Sequence, residues 1–286
     1  MHCIEQKITE GTGSNMKIKK IMSMMLLFCF SLFANEKLVL GVNPYKSTTE
    51  LQEIYAELVE YLEKALDREI VFVVSKDYNQ LLTLIEQGSV DIASISPKLF
   101  ATSRQKEIPT EYLATLQVTD DQNNARSAYH GLIVTHKESS IYTMADLKKK
   151  SFGFTDPDST SGYFYPRLMM KQNGIDPKNE LGKVYMLKKH SKIIDAILEK
   201  SIDAGALYDG AYIILPKEKQ EQIRILATSK EIPYDAMIAS NKLDKAFVAK
   251  IRTLLLNFHA TKHFPSSIVG FEEKPLSLYD QLNHLE

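Results

Sequence analysis

The residues of this chain best suited to chemistry are Ser159-Thr-Ser-Gly162, which end the stretch begun by Thr155-Asp-Pro-Asp158. Ahead of them Lys150-Ser-Phe-Gly-Phe154 is short and apolar enough for a buried strand. Behind them Tyr163, Phe164, Leu168, Met169 and Met170 fall near helical spacing. The order strand, hydroxyl-rich turn, helix predicts a helix start that presents unpaired N–H groups and a partial positive charge. Three hydroxyls add side-chain donors, and Gly162 lets a ligand approach the backbone closely. Such a place suits a tetrahedral oxyanion. The same residues would also serve a helix that binds nothing, with Asp158 or Ser159 as its cap, so the elements around them must decide.

Those elements alternate. Leu38–Val42 reads as a strand, followed by a helix from about Ser47 whose Leu51, Ile54, Tyr55, Leu58, Val59, Leu62 and Leu66 share one face. Strand Ile70–Val74, helix Tyr78–Glu86, strand Val90–Ile95, a helix opened by Pro97 and strand Tyr112–Val118 complete a first α/β run. Thr119–Ala125 is polar and turn-rich, a predicted linker. A second run takes strand Ala128–Thr135, helix Met144–Lys149, strand Ser151–Phe154, the helix after the Ser/Thr turn, strand Val184–Leu187, helix Ser191–Lys200, strand Ile202–Leu207 and strand Ile223–Ala227. Ile232–Ala239 reads as a return crossing, and helices at Leu243–Thr261 and Leu276–Leu285 end the chain. The expected fold is α/β and two-lobed, each lobe a mixed sheet flanked by helices. Residues 35–122 plus 232–286 would form lobe 1 and 123–231 lobe 2, joined by a two-stranded hinge. Ligands of open α/β sheets bind at the carboxyl ends of strands, which here means the cleft between lobes.

That rule selects further candidates. Tyr78 follows the second strand, and Ser94 and Ser96 end the third. Tyr129 and His130 lie just past the first crossing, His190 follows strand Val184–Leu187, Tyr208 and Asp209 follow strand Ile202–Leu207, and Asp235 sits near the second crossing. His190 would reach the ligand or cap the helix at Ser191. Asp235 would brace the hinge or accept a hydrogen bond from a protonated oxyanion, an arrangement that disfavours fully ionised sulfate.

Composition bounds the rest. The chain has 286 residues, 44% hydrophobic and 25% charged, with a formal net charge of −1, so no broad field points to nucleic acid or an anionic membrane. Met16-Lys-Ile-Lys-Lys20 and the apolar run Ile21–Phe33, closed by Ala34, form a predicted secretory signal, with Met16 as the expected true start. The two cysteines are Cys3 and Cys29, so an exported chain starting near Asn35 would have no disulfide and no cysteine nucleophile. Bulky Phe28 argues against lipid attachment at Cys29. Loss of residues 1–34 removes four basic and two acidic residues and leaves 31 basic against 34 acidic, a net −3. An anion must then be held by local donors.

Taken together, Lys76-Asp-Tyr78, Val90-Asp-Ile-Ala93, Tyr129 with Leu132-Ile-Val134, Asp156-Pro-Asp-Ser-Thr-Ser-Gly162, His190, Ile202-Asp203 and Ile232-Pro-Tyr-Asp235 make the chain resemble the periplasmic solute-binding proteins of phosphonate, phosphite and phosphate ABC transporters, with a type II binding-protein fold. The resemblance implies that Ser159, Thr160 and Ser161 hold a phosphorus oxyanion, with Tyr78, His190 and Asp235 as further contacts. It implies an inner-membrane permease as partner, a monomer, and a periplasmic location. Two departures favour a small inorganic oxyanion over an aminophosphonate. Asp91–Ser96 lacks an aromatic that phosphonate binders often carry there, and Asp209 alone is a candidate partner for an amine. A sensory subunit serving a membrane histidine kinase is the alternative. Ser161, His190 and Asp235 could be drawn as a nucleophile, base and orienter, but there is no G-x-S-x-G elbow. No catalysis, metal or cofactor is expected.

Overall fold

In the first helix Ser47 accepts a hydrogen bond from the Glu50 N–H, and the Glu50 carboxylate accepts from the Ser47 N–H in return. This reciprocal cap fixes the start of helix Thr48–Leu66, which buries Leu51, Ile54, Tyr55, Leu58, Leu62 and Leu66 and ends at Asp67 in the left-handed region. The computed structural model describes residues 37–120 and 122–284. The predicted leader, with Cys3, Cys29 and the region before Asn35, lies outside them. No helix among the described residues is long and apolar enough to cross a membrane.

The strands are β1 (Leu38–Val42), β2 (Ile70–Val74), β3 (Ile92–Ile95), β4 (Thr110–Thr119), β5 (Ala125–Arg126), β6 (Ala128–Tyr129), β7 (Gly131–His136), β8 (Phe152–Phe154), β9 (Val184–Met186), β10 (Ala204–Tyr208), β11 (Ile223–Thr228), β12 (Ile232–Pro233), β13 (Ala236–Ser240) and β14 (Ile268–Glu272). A seven-stranded sheet runs β14-β4-β13-β3-β1-β2, with β5 added to β4. Its β1 pairs in parallel with β2 and β3, while β13 runs antiparallel to β3 and β4. A five-stranded sheet runs β11-β7-β10-β8-β9. The chain passes between the sheets twice, and the two passing segments pair as an antiparallel ribbon, Ile232 opposite Tyr129 and Pro233 opposite Ala128. Mixed sheets with helices against them are the α/β architecture the alternation predicts. Both sheets belong to one compact unit, Leu38–Glu286.

Several elements differ from expectation for local physical reasons. Thr119–Ala125 is the tight turn of a hairpin, since Val118 pairs with Arg126 and Thr119 with Ala125. The Asp120 carboxylate accepts from the Gln122 and Asn124 N–H groups and holds that turn. The passage out of the larger sheet therefore comes after Arg126. The expected helix Met144–Lys149 is one 3-10 turn, Met144–Leu147, capped between Thr143 and Asp146. Helix Leu243–Thr261 spans only Lys245–Leu256, with Asp244 as its cap. Strand β14 was not anticipated: it is five residues long, and its register shifts between Ile268 and Gly270, which blurs the alternation a strand shows in sequence. The final expected helix is a short α-turn, Ser277–Asp280, with a 3-10 turn, Gln281–Asn283.

Candidate ligand-binding site

The Ser/Thr turn begins where β8 ends. Ser159 caps it, its hydroxyl accepting from the Gly162 N–H at 3.1 Å. The first turn, Thr160–Phe164, is wide, with a π pattern closed by the Phe164 and Tyr165 N–H groups, and it narrows into α-helix Tyr165–Gln172. Among the described residues no protein acceptor faces the Thr160 or Ser161 N–H. Gly162 has a packing reason: a Cβ there would lie 1.9 Å from the Thr155 hydroxyl oxygen, so only glycine lets the turn sit down on β8.

A second helix start meets this turn from the larger sheet. Ser96 caps helix Pro97–Gln105, and its hydroxyl donates to the Asp158 carbonyl at 3.3 Å. The Lys98 N–H donates to the Thr160 hydroxyl at 2.9 Å. An accepting hydroxyl keeps its own proton to give, so Thr160 is still a donor. The Lys98 ammonium points elsewhere, to the Leu282 carbonyl and the face of Phe164. Two helix N-termini thus add partial positive charge at one place without a cationic side chain.

Around them stand buried phenols. Burial, followed by the Asp235 charge, raises the Tyr78 and Tyr129 hydroxyls far above the usual range, so both remain protonated; Tyr78 reaches Ser159 and Tyr129 reaches Ser161. His190 opens helix His190–Leu198, buried against the edge of Tyr208 at 4.8 Å. Burial and then Lys46 push its pKa down to about 3, so the ring is neutral. Its Nδ1 accepts from the Tyr208 N–H at 3.3 Å, which assigns the ring proton to Nε2 and makes His190 a neutral donor. The Asp235 carboxyl faces the opposite problem. Burial raises it to about 7, only partly offset by the neighbouring Asn43 amide, whose polar atoms make no well-formed hydrogen bond.

These groups line one cavity of about 60 Å³. That is room for about four to six water-sized groups, the size of one oxyanion with a short substituent. It is bounded by Ser159, Thr160, Ser161, Ser96, Tyr78, Tyr129, His190 and Asp235 from the sequence-derived set. Among the described residues the lining offers many neutral donors, no cation, and one carboxyl poised to share a proton, with Lys46 beyond His190. It can bind an anion and accept from a protonated oxygen on it.

A sequence-family profile described as ABC transporter, phosphonate, periplasmic substrate-binding protein matches residues 40–274. The chain belongs to this family. It is a family of binding proteins, and the chain is 23% identical over 239 residues to the phosphate-import protein PhnD of Mycolicibacterium smegmatis, covering 80% of this chain and 74% of that protein. It is 20% identical over 265 residues to the tetrathionate sensor histidine kinase TtrS of Salmonella typhimurium, covering 88% of this chain but 44% of that one. Among solved structures it resembles a binding-protein component of an ABC phosphonate transporter from Pseudomonas aeruginosa, with TM-score 0.75 and 20% identity over 87% of this chain and 85% of that one. It also resembles PhnD1 of Prochlorococcus marinus in complex with methylphosphonate, with TM-score 0.72 and 17% identity over 87% and 96% of the two chains. The fold is that of these periplasmic binding proteins.

Among the sequence candidates, Ser94, Asp209 and Gly162 lie outside the cavity lining of this binding protein. Ser94 is fully buried one turn of the pleat below Ser96, where its hydroxyl accepts from Tyr55 at 2.7 Å. Asp209 turns the other way from Tyr208, toward Arg126 at 3.5 Å and the Gly210 N–H. Gly162 is held under the turn by Thr155. Tyr208, read beside Asp209 at the end of its strand, does line the cavity, while sequence reasoning missed Tyr45, Leu116, Val118, Tyr234, Ser266 and Ile268, which complete the lining. Tyr234 adjoins the candidate Asp235, and attention to both neighbours of that residue finds it. Ser266 and Ile268 belong to the unanticipated β14 region and left no such signal.

Proposed function

We propose that this protein captures a phosphorus oxyanion between two lobes, residues 35–122 plus 232–286 and residues 123–231, and delivers it to an inner-membrane ABC permease. The observation that carries this is the meeting of donors from both sheets in one small cavity: the Ser159–Ser161 turn and His190 from one, Tyr78, Ser96 and Asp235 from the other or its crossing. A ligand that touches both sides binds a closed arrangement better than an open one, and that difference in affinity is what drives closure. The β6–β12 ribbon is the hinge in this reading. Thr160, Ser161 and His190 would donate to the anion, with Ser159, Tyr78 and Tyr129 supporting them and Asp235 accepting from a protonated oxygen. Export through a signal at Met16–Ala34 would place the protein, as a monomer, in the periplasm.

Melting temperatures with phosphate, phosphite, methylphosphonate, arsenate and sulfate test the ligand class. A rise of several degrees with at least one phosphorus oxyanion, larger than that with sulfate, is expected. No shift with any phosphorus oxyanion would rule the reading out. The similarity to a tetrathionate sensor kinase favours a second reading, a sensory subunit that presents its ligand to a membrane kinase. Co-purification with a permease rather than a kinase separates the two.

A further inference from the structure

The cavity is longer than its anion-binding end. On the larger sheet its lining runs from Ser96, after β3, to Ile268 on β14, with β13 and β4 between. Three strand spacings make about 14 Å from backbone to backbone. On the smaller sheet the Ser/Thr turn follows β8, and Tyr208 ends the adjacent β10. On each sheet, then, Tyr208, Ser266 and Ile268 belong to other strand ends than the Ser/Thr turn and Ser96, and the Tyr208 ring spans the space between, packed on His190 and Tyr45.

The end at Tyr208, Ser266 and Ile268 has a different character. Leu116 and Val118 alternate on β4, and Val118 pairs with Ile268, so three apolar side chains share one wall. Against them the Tyr208 hydroxyl is buried, and among the described residues it has no hydrogen-bond partner. Ser266 lies beside it without the geometry of a hydrogen bond, its backbone held at φ 70, an uncommon conformation for serine. Of the carboxylates near Tyr208, Asp209 faces Arg126, Glu50 is held at the Ser47 N–H, and Asp235 lines the cavity itself.

We infer that the end of the cavity bounded by Tyr208, Ser266 and Ile268 is a subsite for a short uncharged arm that ends in a hydrogen-bonding group. The substrate class is then a hydroxyalkylphosphonate-type anion, and not the inorganic ion that the sequence favours. This rests on the oxyanion reading above. An oxygen of a bare phosphate placed against Leu116, Val118 and Ile268 would be buried without a donor, which is costly. A methylene stem loses nothing there, and a terminal hydroxyl would give the Tyr208 hydroxyl the partner it lacks.

Calorimetric titration of the purified protein with 2-hydroxyethylphosphonate and with propylphosphonate, which replaces the hydroxyl by a methyl group, tests the subsite. Methylphosphonate and phosphate serve as references for the anion-binding end. The expected preference for the hydroxyl-bearing ligand is about tenfold in the wild type and is lost in Tyr208→Phe, which keeps the ring and its packing. A preference that survives Tyr208→Phe, or equal binding of the two ligands to the wild type, overturns the inference. Tighter binding of 2-aminoethylphosphonate than of either overturns it too, because the arm's end would then be read as a cation by a carboxylate and not as a hydroxyl by Tyr208. If methylphosphonate and phosphate bind while the arm makes no difference, the subsite alone fails. If no phosphorus oxyanion binds, the oxyanion reading fails and the subsite with it.

Discussion

The two walls of the cavity are built in opposite ways. The wall on the smaller sheet concentrates its donors in three consecutive residues, Ser159–Ser161, plus His190 on the next helix start. The facing wall gathers Tyr45, Tyr78, Ser96, Leu116, Asp235 and Ser266 from widely separated parts of the chain. A contiguous turn inherits its geometry from one helix N-terminus, so its donors converge by local rules. The dispersed wall depends on sheet order and on which side chains are already engaged beneath it. On the proposed function, the first wall would supply the general grip on an anion, and the second the features that tell one anion from another.

If that division holds, the contiguous wall gives the largest effect. Replacing both Ser159 and Thr160 by alanine should weaken oxyanion binding a hundredfold or more, about 3 kcal/mol for hydrogen bonds to a charged group. Loss of less than a factor of five in a titration would contradict it.

The dispersed wall should show its cost in stability. An acid whose pKa is higher folded than unfolded opposes folding once it ionises. Asp235, raised to about 7, therefore costs nothing below about pH 4, and the penalty grows as pH rises and is complete above 7. Asp235→Asn should stabilise the free protein by up to about 4 kcal/mol at pH 8, with no gain at pH 4. It should at the same time weaken binding of a protonated phosphorus oxyanion. Urea unfolding at the two pH values measures the first effect, and an equal gain at both would refute the ionisation argument.

The smallest effect separates packing from binding. Ser94→Ala leaves the buried Tyr55 hydroxyl without its acceptor and should cost about 1 kcal/mol of stability, with ligand affinity unchanged. A drop in affinity with unchanged stability would move Ser94 back into the site.

The same contrast explains what could be read from sequence. The alternation of strands and helices, the Ser159–Ser161 turn and the crossing near Asp235 all rest on neighbours in the chain, and local patterns report these. Ser94 and Ser96 look alike by strand alternation, yet Tyr55 from helix Thr48–Leu66 claims one and leaves the other at the cavity. Tyr208 and Asp209 are adjacent, but the strand end aims the first into the cavity and the helix start takes the second to Arg126. The Thr119–Ala125 hairpin reads as a linker in sequence because a polar turn looks the same whether its arms pair or part. Ser266 and Ile268 were hidden by a register shift that only the partner strand reveals.

The most direct test is a crystal structure of the protein with methylphosphonate. The account predicts the phosphorus seated over the Ser/Thr turn, its oxygens accepting from the Thr160 and Ser161 N–H groups and His190 Nε2, with Asp235 against a protonated oxygen. A phosphonate bound away from residues 159–161, or contacting them only through their own side chains packed across the cavity, would contradict it.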